Sequence, residues 1–382
     1  MLRISSFLPL MLALILLFAN SSCRDNDVIT PEDIEEMDEV NNEDPNDDSN
    51  NDSNDSSNQP GDSSGTLINS NLSGSIFGGN GLYVPVLMDV SSGTCAIMPS
   101  SEWDDNPNYS DFADYSAHIS LDGTEILETI DRCEGYPEEK ACFIIRDKSG
   151  NVLTDFSVVA DLSNTAKLSP DKSMIAFLST DDDWNTHLEV YSRTGQFLGS
   201  VVYDEIQSFD WHPANFLVYS TDNHLYGFIA GDDPVYFTTL SGEGIVGQIS
   251  LNSEGTKLAY KRIVDGTLAA NYGNIYVFNF ETGSIDRVAV GTNEEPNLNW
   301  PIWSPDGEWI ALLLGGQSGS TQGNLFIVPA NGKDVLVDLN AQTEAIPIFS
   351  YFHSTDSFNL GIGSLELSQF FGSKGPGNRW LP

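Results

Sequence analysis

Two short patterns of apolar and polar positions alternate along most of this chain. The first is a polar turn followed at once by an apolar run, as in WSPDGEWIALLL from Trp303 to Leu314. Proline presets the backbone for the first central position of a turn, aspartate accepts bonds from nearby amides, and glycine takes the position with φ > 0. The run that follows has the length and composition of a buried β-strand. Five further stretches repeat the pattern: ISLDGTEIL (Ile119 to Leu127), LSPDKSMIAF (Leu168 to Phe177), WHPANFLVY (Trp211 to Tyr219), LNSEGTKLAY (Leu251 to Tyr260) and HSTDSFNLG (His353 to Gly361). Aligned on Asp122, Asp171, Ala214, Glu254, Asp306 and Asp356, they are spaced by 49, 43, 40, 52 and 50 residues.

The second pattern is a Leu-Tyr-Val-like strand that stops at a turn glycine. It also occurs six times, as GLYVPVLMDVSSG (Gly81 to Gly93), ACFIIRDKSG (Ala141 to Gly150), LEVYSRTG (Leu188 to Gly195), LYGFIAG (Leu225 to Gly231), NIYVFNFETG (Asn274 to Gly283) and NLFIVPANG (Asn324 to Gly332). A period of this length with several short strands per unit belongs to a propeller rather than a solenoid. The chain opens on the second pattern and ends on the first, so each end lacks what the other supplies. The expectation is an all-β fold, a six-bladed β-propeller over residues 67–382, with its last blade closed by both chain ends.

Trp303-Ser-Pro-Asp-Gly with Ile310-Ala311 and then Asn324-Leu-Phe-Ile-Val resembles the repeat of TolB-type propellers, as does Leu168-Ser-Pro-Asp with Ile175-Ala176-Phe177. The resemblance extends over residues 72 to 362 and bears on fold, because propellers host unrelated activities. Turn chemistry alone accounts for the repeated residues, so function is sought where the repeat is interrupted.

Four long spacers fall at one point of the repeat: Glu128 to Lys140, Ser179 to His187, Lys261 to Gly273 and Leu313 to Gly323. Insertions at one point of a repeat emerge on one face. That face is expected to carry Tyr136, Trp184 and Tyr272 beside Asp181, Asp182 and Asp183, a mixture of aromatic and polar groups suited to protein or glycan contact. Catalytic signatures are missing from the sequence. It has no Gly-x-Ser-x-Gly elbow, no His-Glu-x-x-His and no cofactor motif, and its five histidines are scattered. His118, His212 and His353 do share a phase of three blades. A channel-mouth site, of the kind some propeller-fold polysaccharide lyases use, therefore stands as the alternative.

Charge adds to this picture. The 382 residues include 16 Lys plus Arg against 56 Asp plus Glu, a formal net charge of -40. Such a chain repels phosphate backbones, which sets nucleic acid aside. A partner at the acidic loop face is expected to be basic or bridged by divalent cations. Fifteen of the acids lie between Arg24 and Thr66, in a run of Asp, Glu, Asn and Ser with almost nothing to bury. Residues 23–66 are thus expected to be a disordered acidic tether.

Ahead of the tether, Phe7 to Ala19 is a 13-residue apolar run behind Arg3. It is too short to span a bilayer and has the size of a signal-peptide core. Ser21, Ser22 and Cys23 resemble the lipobox of bacterial lipoproteins, with Asn20 where an apolar residue is usual. The resemblance implies a signal peptide over 1–22, an acyl chain such as palmitate on Cys23, and anchoring to the outer membrane on its periplasmic side or at the cell surface. The alternative is an ordinary secretory signal followed by a chance cysteine. Cys133 and Cys142 flank one insertion, where a bridge would close a short loop in an oxidising compartment. Together these readings describe a non-catalytic, membrane-anchored envelope protein that binds a protein or glycan partner, with a carbohydrate-active enzyme as the alternative.

Overall fold

Met174 to Thr180 shows how the repeat folds. Its five central residues are all buried, and successive side chains of a strand point to opposite faces, so it must lie between two layers. Ile175 and Phe177 pack with Leu127 and Phe143 on one side, while Ala176 and Leu178 pack with Leu217 and Tyr219 on the other. Phe177 also stacks on Phe143 at 5.1 Å and on Tyr191 at 5.5 Å, each pair adding about 0.5–1.5 kcal/mol beyond its burial.

The computed structural model describes residues 72–78, 85–91, 94–98, 115–131, 140–162, 166–203, 205–242, 244–263, 273–291, 298–314, 324–338, 343–348, 351–352 and 379–382. The chain divides into two units, Met1–Thr66 and Leu67–Pro382, and all described residues belong to the second. Residues 1–66, where the sequence leads one to expect a signal peptide, a lipidated Cys23 and an acidic tether, lie outside them. Every regular element described is a strand, and the strands form six sheets.

The first strands in the chain are β1 (Ser75–Gly78), β2 (Val86–Asp89) and β3 (Thr94–Ile97). Blade one follows as β4 (Tyr115–Ile119), β5 (Glu125–Asp131), β6 (Lys140–Asp147) and β7 (Val152–Val159). Blade two is β8 (Lys167–Leu168), β9 (Met174–Thr180), β10 (Thr186–Ser192) and β11 (Phe197–Tyr203). Blade three is β12 (Ser208–His212), β13 (Phe216–Thr221), β14 (His224–Phe228) and β15 (Val235–Thr239). Blade four is β16 (Ile245–Leu251), β17 (Lys257–Ile263), β18 (Gly273–Asn279) and β19 (Ile285–Val290). Blade five takes β20 (Leu298–Trp303), β21 (Trp309–Leu314) and β22 (Asn324–Pro329), then β24 (Ile346–Ile348) after the excursion of β23 (Val335–Leu336). The last strands are β25 (Tyr351–Phe352) and β26 (Arg379–Leu381).

Both chain ends build the sixth blade, whose order is β26-β1-β2-β3-β25. β26 is antiparallel to β1, with Ser75 opposite Leu381 and Phe77 opposite Arg379, and holds the innermost place that β4, β8, β12, β16 and β20 hold elsewhere. The turn-like stretch His353 to Gly361 lies outside the described residues. Trp380 instead fills the repeat position of Trp211 and Trp303. Its indole Nε1 donates to Ser73 O at 2.9 Å.

Buried clusters join blade six to five, five to four, one to two, two to three and six to one. Blades three and four are tied by Ile249 N donating to Ser208 Oγ at 3.2 Å and Leu251 N donating to Asp210 Oδ2 at 2.9 Å. The ring is thereby closed. On the rim, β23 pairs in parallel with β19, and β25 pairs in parallel with β3. Both cover outer edges that would otherwise be open to pairing with another chain.

The recurring turn carries the chemistry expected of it. Ser169 Oγ donates to Asp171 Oδ1 at 2.7 Å and accepts from Met174 N at 2.9 Å, so one hydroxyl ties the turn to the next strand. Ser120 and Asp122 repeat the arrangement, with Glu125 N donating to Ser120 Oγ at 2.9 Å. Gly123, Lys172, Asn215, Gly255 and Gly307 occupy the same turn position, all with φ between 61° and 72°. The second pattern forms the third strand of each blade.

Candidate functional site

Each of the four long spacers joins the second strand of its blade to the third, so all leave the ring at one end. Residues 132–139, 264–272 and 315–323, with Tyr136, Tyr272 and Cys133 among them, lie outside the described residues. The spacer between β9 and β10 is described. Trp184 stands at its tip and is 82% exposed. Its backbone is left-handed, with φ 66°, a conformation that costs a bulky side chain roughly 1–2 kcal/mol.

The three aspartates beside Trp184 are not equivalent. Asp181 holds the turn together: its Oδ1 accepts from Asn185 N at 2.9 Å and Asp183 N at 3.0 Å, while His187 Nε2 lies 2.9 Å from Oδ2. The bond to His187, followed by those from Asn185, holds its carboxyl well below the usual carboxylate range. Asp182 and Asp183 are exposed, and they are the acids free to meet a partner. Cys142 is disulfide-bonded, its partner lying outside the described side chains.

A second feature occupies the other end of the ring, where the first strand of each blade turns into the second. A cavity of about 270 Å³ opens there, and every blade contributes to its rim through Leu121, Pro170, Pro213, Ser253, Pro305 and Pro382. These six residues occupy one position of the repeat, directly before or at the turn's second corner. Three positions earlier come His118, Lys167, Asp210, Ser250, Ile302 and Arg379, which line the cavity more deeply.

The deeper groups bond across blades. Lys167 Nζ donates to Phe209 O at 2.9 Å and to Asp210 Oδ1 at 3.2 Å. His118 Nδ1 accepts from Leu168 N at 3.2 Å, and its Nε2 lies 3.5 Å from an Arg379 nitrogen. Burial, reinforced by Arg379 and then Lys167, pushes the His118 imidazole well below its ordinary pKa, so the ring is neutral. Of the two described histidines that share a phase, His118 faces this cavity and His212 does not. His212 sits at the turn, stacked on Phe216 at 4.1 Å with its Nδ1 accepting from Ala214 N, and His353 lies outside the described residues. No group of three or more His, Cys, Asp or Glu residues is arranged to hold a metal ion among the described residues.

Sequence reasoning missed Lys167, Asp210 and Arg379. The available signal was a charged residue three places before the turn's rim position in an otherwise apolar strand, as in Phe209-Asp210-Trp211 and Arg379-Trp380-Leu381.

No protein-family model matches the sequence, and no curated protein matches it. Among solved structures the chain is similar to TolB from Acinetobacter baumannii, at 14% identity and a TM-score of 0.46 over 68% of this chain and 65% of that one. The match thus spans less than two thirds of that TolB. It is also similar to a putative TolB from Agrobacterium tumefaciens, at 13% identity and a TM-score of 0.45 over 72% of this chain and 88% of that one. A Bacteroides caccae protein of unknown function aligns at 11% identity and a TM-score of 0.43, over 72% and 99% of the two chains. By its own six sheets, recurrent Ser-Asp turns and jointly closed last blade, the chain is a six-bladed β-propeller.

Proposed function

We propose that the protein is a non-catalytic binding or scaffold protein of the bacterial cell envelope, and that it engages a protein or glycan through the loop face that carries Trp184. The observation that carries this reading is a large aromatic held fully in solvent in a backbone conformation that disfavours it. The turn that Asp181 ties needs a left-handed corner, which glycine would fill without cost, so placing a tryptophan there gains nothing for the fold, and strained residues cluster where ligands are clamped. Asp182 and Asp183 beside it give the surface a negative rim. The folded part adds to this field, with 41 acidic against 14 basic residues after Thr66. A basic or cation-bridged partner fits such a surface, with an encounter rate that falls as salt rises.

The test compares Trp184→Gly with the parent chain in capture of envelope components. Glycine relieves the left-handed backbone, so stability is expected to rise by up to about 1 kcal/mol. Binding is expected to fall by about 2 kcal/mol, as for a central aromatic at an interface. A variant that gains stability and keeps its partner would remove Trp184 from the function. One that loses stability would make it a packing residue.

Anchoring rests on the apolar run from Phe7 to Ala19 followed by Ser-Ser-Cys. A lipid on Cys23 together with the acidic tether would hold the propeller at the outer membrane with freedom to reach its partner. Cys23→Ser is expected to move the protein from the membrane fraction to the soluble one. Membrane association that persists without incorporated fatty acid would exclude this anchor.

A further inference from the structure

The cavity at the opposite end of the ring holds at its floor a cation that no carboxylate among the described residues reaches at ion-pair distance. Asp210 is the one carboxylate lining it, and both its oxygens are engaged, Oδ1 by Lys167 Nζ at 3.2 Å and Oδ2 by Leu251 N at 2.9 Å. Arg379 also lines the cavity, and among the described residues no carboxylate lies within ion-pair distance of its guanidinium. Its one close polar neighbour is His118 Nε2 at 3.5 Å. Because His118 Nδ1 accepts from Leu168 N, the proton of the neutral ring sits on Nε2. Two donors therefore face each other with no acceptor between them. Among the cavity's lining side chains Lys167 and Arg379 stand against the single carboxylate Asp210, and Asp210 and Asp122 act on Arg379 only from beyond ion-pair distance, in a chain whose net charge is -40.

We propose that this channel mouth binds a small organic monocarboxylate, its oxygens seated between Arg379 and His118 Nε2 and its carbon body against the ring of Leu121, Pro170, Pro213, Pro305 and Pro382. The guanidinium fork matches a carboxylate in two-point geometry. One compensating charge favours a monoanion over a phosphate dianion. The cavity, at about 270 Å³, lies just under the range of roughly 300–1,000 Å³ that takes drug-sized ligands, which suits an acid no larger than a single sugar ring. The site does not depend on the loop-face reading, since the two features lie at opposite ends of the strands and share no residue.

Calorimetric titration of the full chain with D-glucuronate and with butyrate, each against its neutral amide, tests the proposal. At least one carboxylate is expected to bind, and at least tenfold more tightly than its amide. Arg379→Gln is expected to weaken it tenfold or more with the thermal midpoint little changed. Should that variant unfold, Leu121→Glu decides. It is a rim position 39% exposed, where an added negative charge should weaken the carboxylate several-fold without touching the closing strand. Binding of neither acid, equal binding of the amides, tighter binding of inorganic phosphate, or unchanged affinity in the folded variants would each overturn the site.

Discussion

A chain that ends at Asn378 is expected to lose its cooperative fold. The four residues removed form one short strand, but their place in the ring makes them costly. Trp380 is buried against Ile76, Met88 and Leu325 between blades five and six. Leu381 is buried with Phe77, Ile119 and Ile126 between blades six and one. Truncating a buried Trp costs about 3–5 kcal/mol and a buried Leu about 2–5, against a total stability of about 5–15 kcal/mol for a domain. The loss also strips β1 of its inner partner and leaves an open edge at the one seam where the ring closes. Urea unfolding followed by circular dichroism, with size-exclusion chromatography, is the measurement. The expected result is a broad, low transition and soluble aggregates. A monomer that unfolds cooperatively near the parent midpoint would mean that β26 is dispensable and that the ring closes without it.

The same strand marks the limit of what the sequence discloses. The blades were legible because a turn that needs a corner at φ > 0, and a strand that must be buried on both faces, leave few choices of residue. Gly255 and Gly307 take the corner directly, and Ile175 to Leu178 divide cleanly between two interfaces. Arg379–Leu381 has three residues and therefore no period, and its partner Ser75–Phe77 lies near the other end of the chain. Only the logic of closure, a first blade pattern at one end and a second at the other, pointed to such a strand at the chain's end. For the loop face, acidic neighbours marked Trp184 as exposed, whereas its left-handed backbone follows from the turn that Asp181 ties and had no sequence signal. The charged floor of the cavity was hidden for another reason. Aligned on the turn aspartates, His118, Lys167, Asp210 and Arg379 look like isolated polar residues in strands. Their convergence appears only when the innermost strands are laid around a common channel.

Lys261 sets up the second large effect, in the dependence of stability on pH. It lies on β17, is fully buried, and its Nζ donates to Asn299 Oδ1 on β20 at 2.6 Å. The neighbouring link from Trp300 N to Gln248 Oε1, at 2.9 Å, joins the same two blades. Burial alone lowers the Lys261 ammonium from 10.5 to about 7. Below pH 7 both folded and unfolded chains hold this proton, and the full desolvation cost is present. Between pH 7 and 10.5 the unfolded chain still holds it while the folded chain has released it, so stability rises with pH through this window. At about 1.4 kcal/mol per pH unit the rise is on the order of 5 kcal/mol across that window. Lys261→Met removes the buried charge and gives up one cross-blade hydrogen bond worth about 1 kcal/mol. The variant is therefore expected to be more stable than the parent at pH 6, with the two curves converging and then crossing as pH approaches 10. Urea midpoints measured for both proteins from pH 6 to 10 decide it, since the other titrating groups are common to both and cancel in the difference. Parallel profiles would show that Lys261 keeps an ordinary pKa in the folded ring, and that water or a counter-charge reaches it.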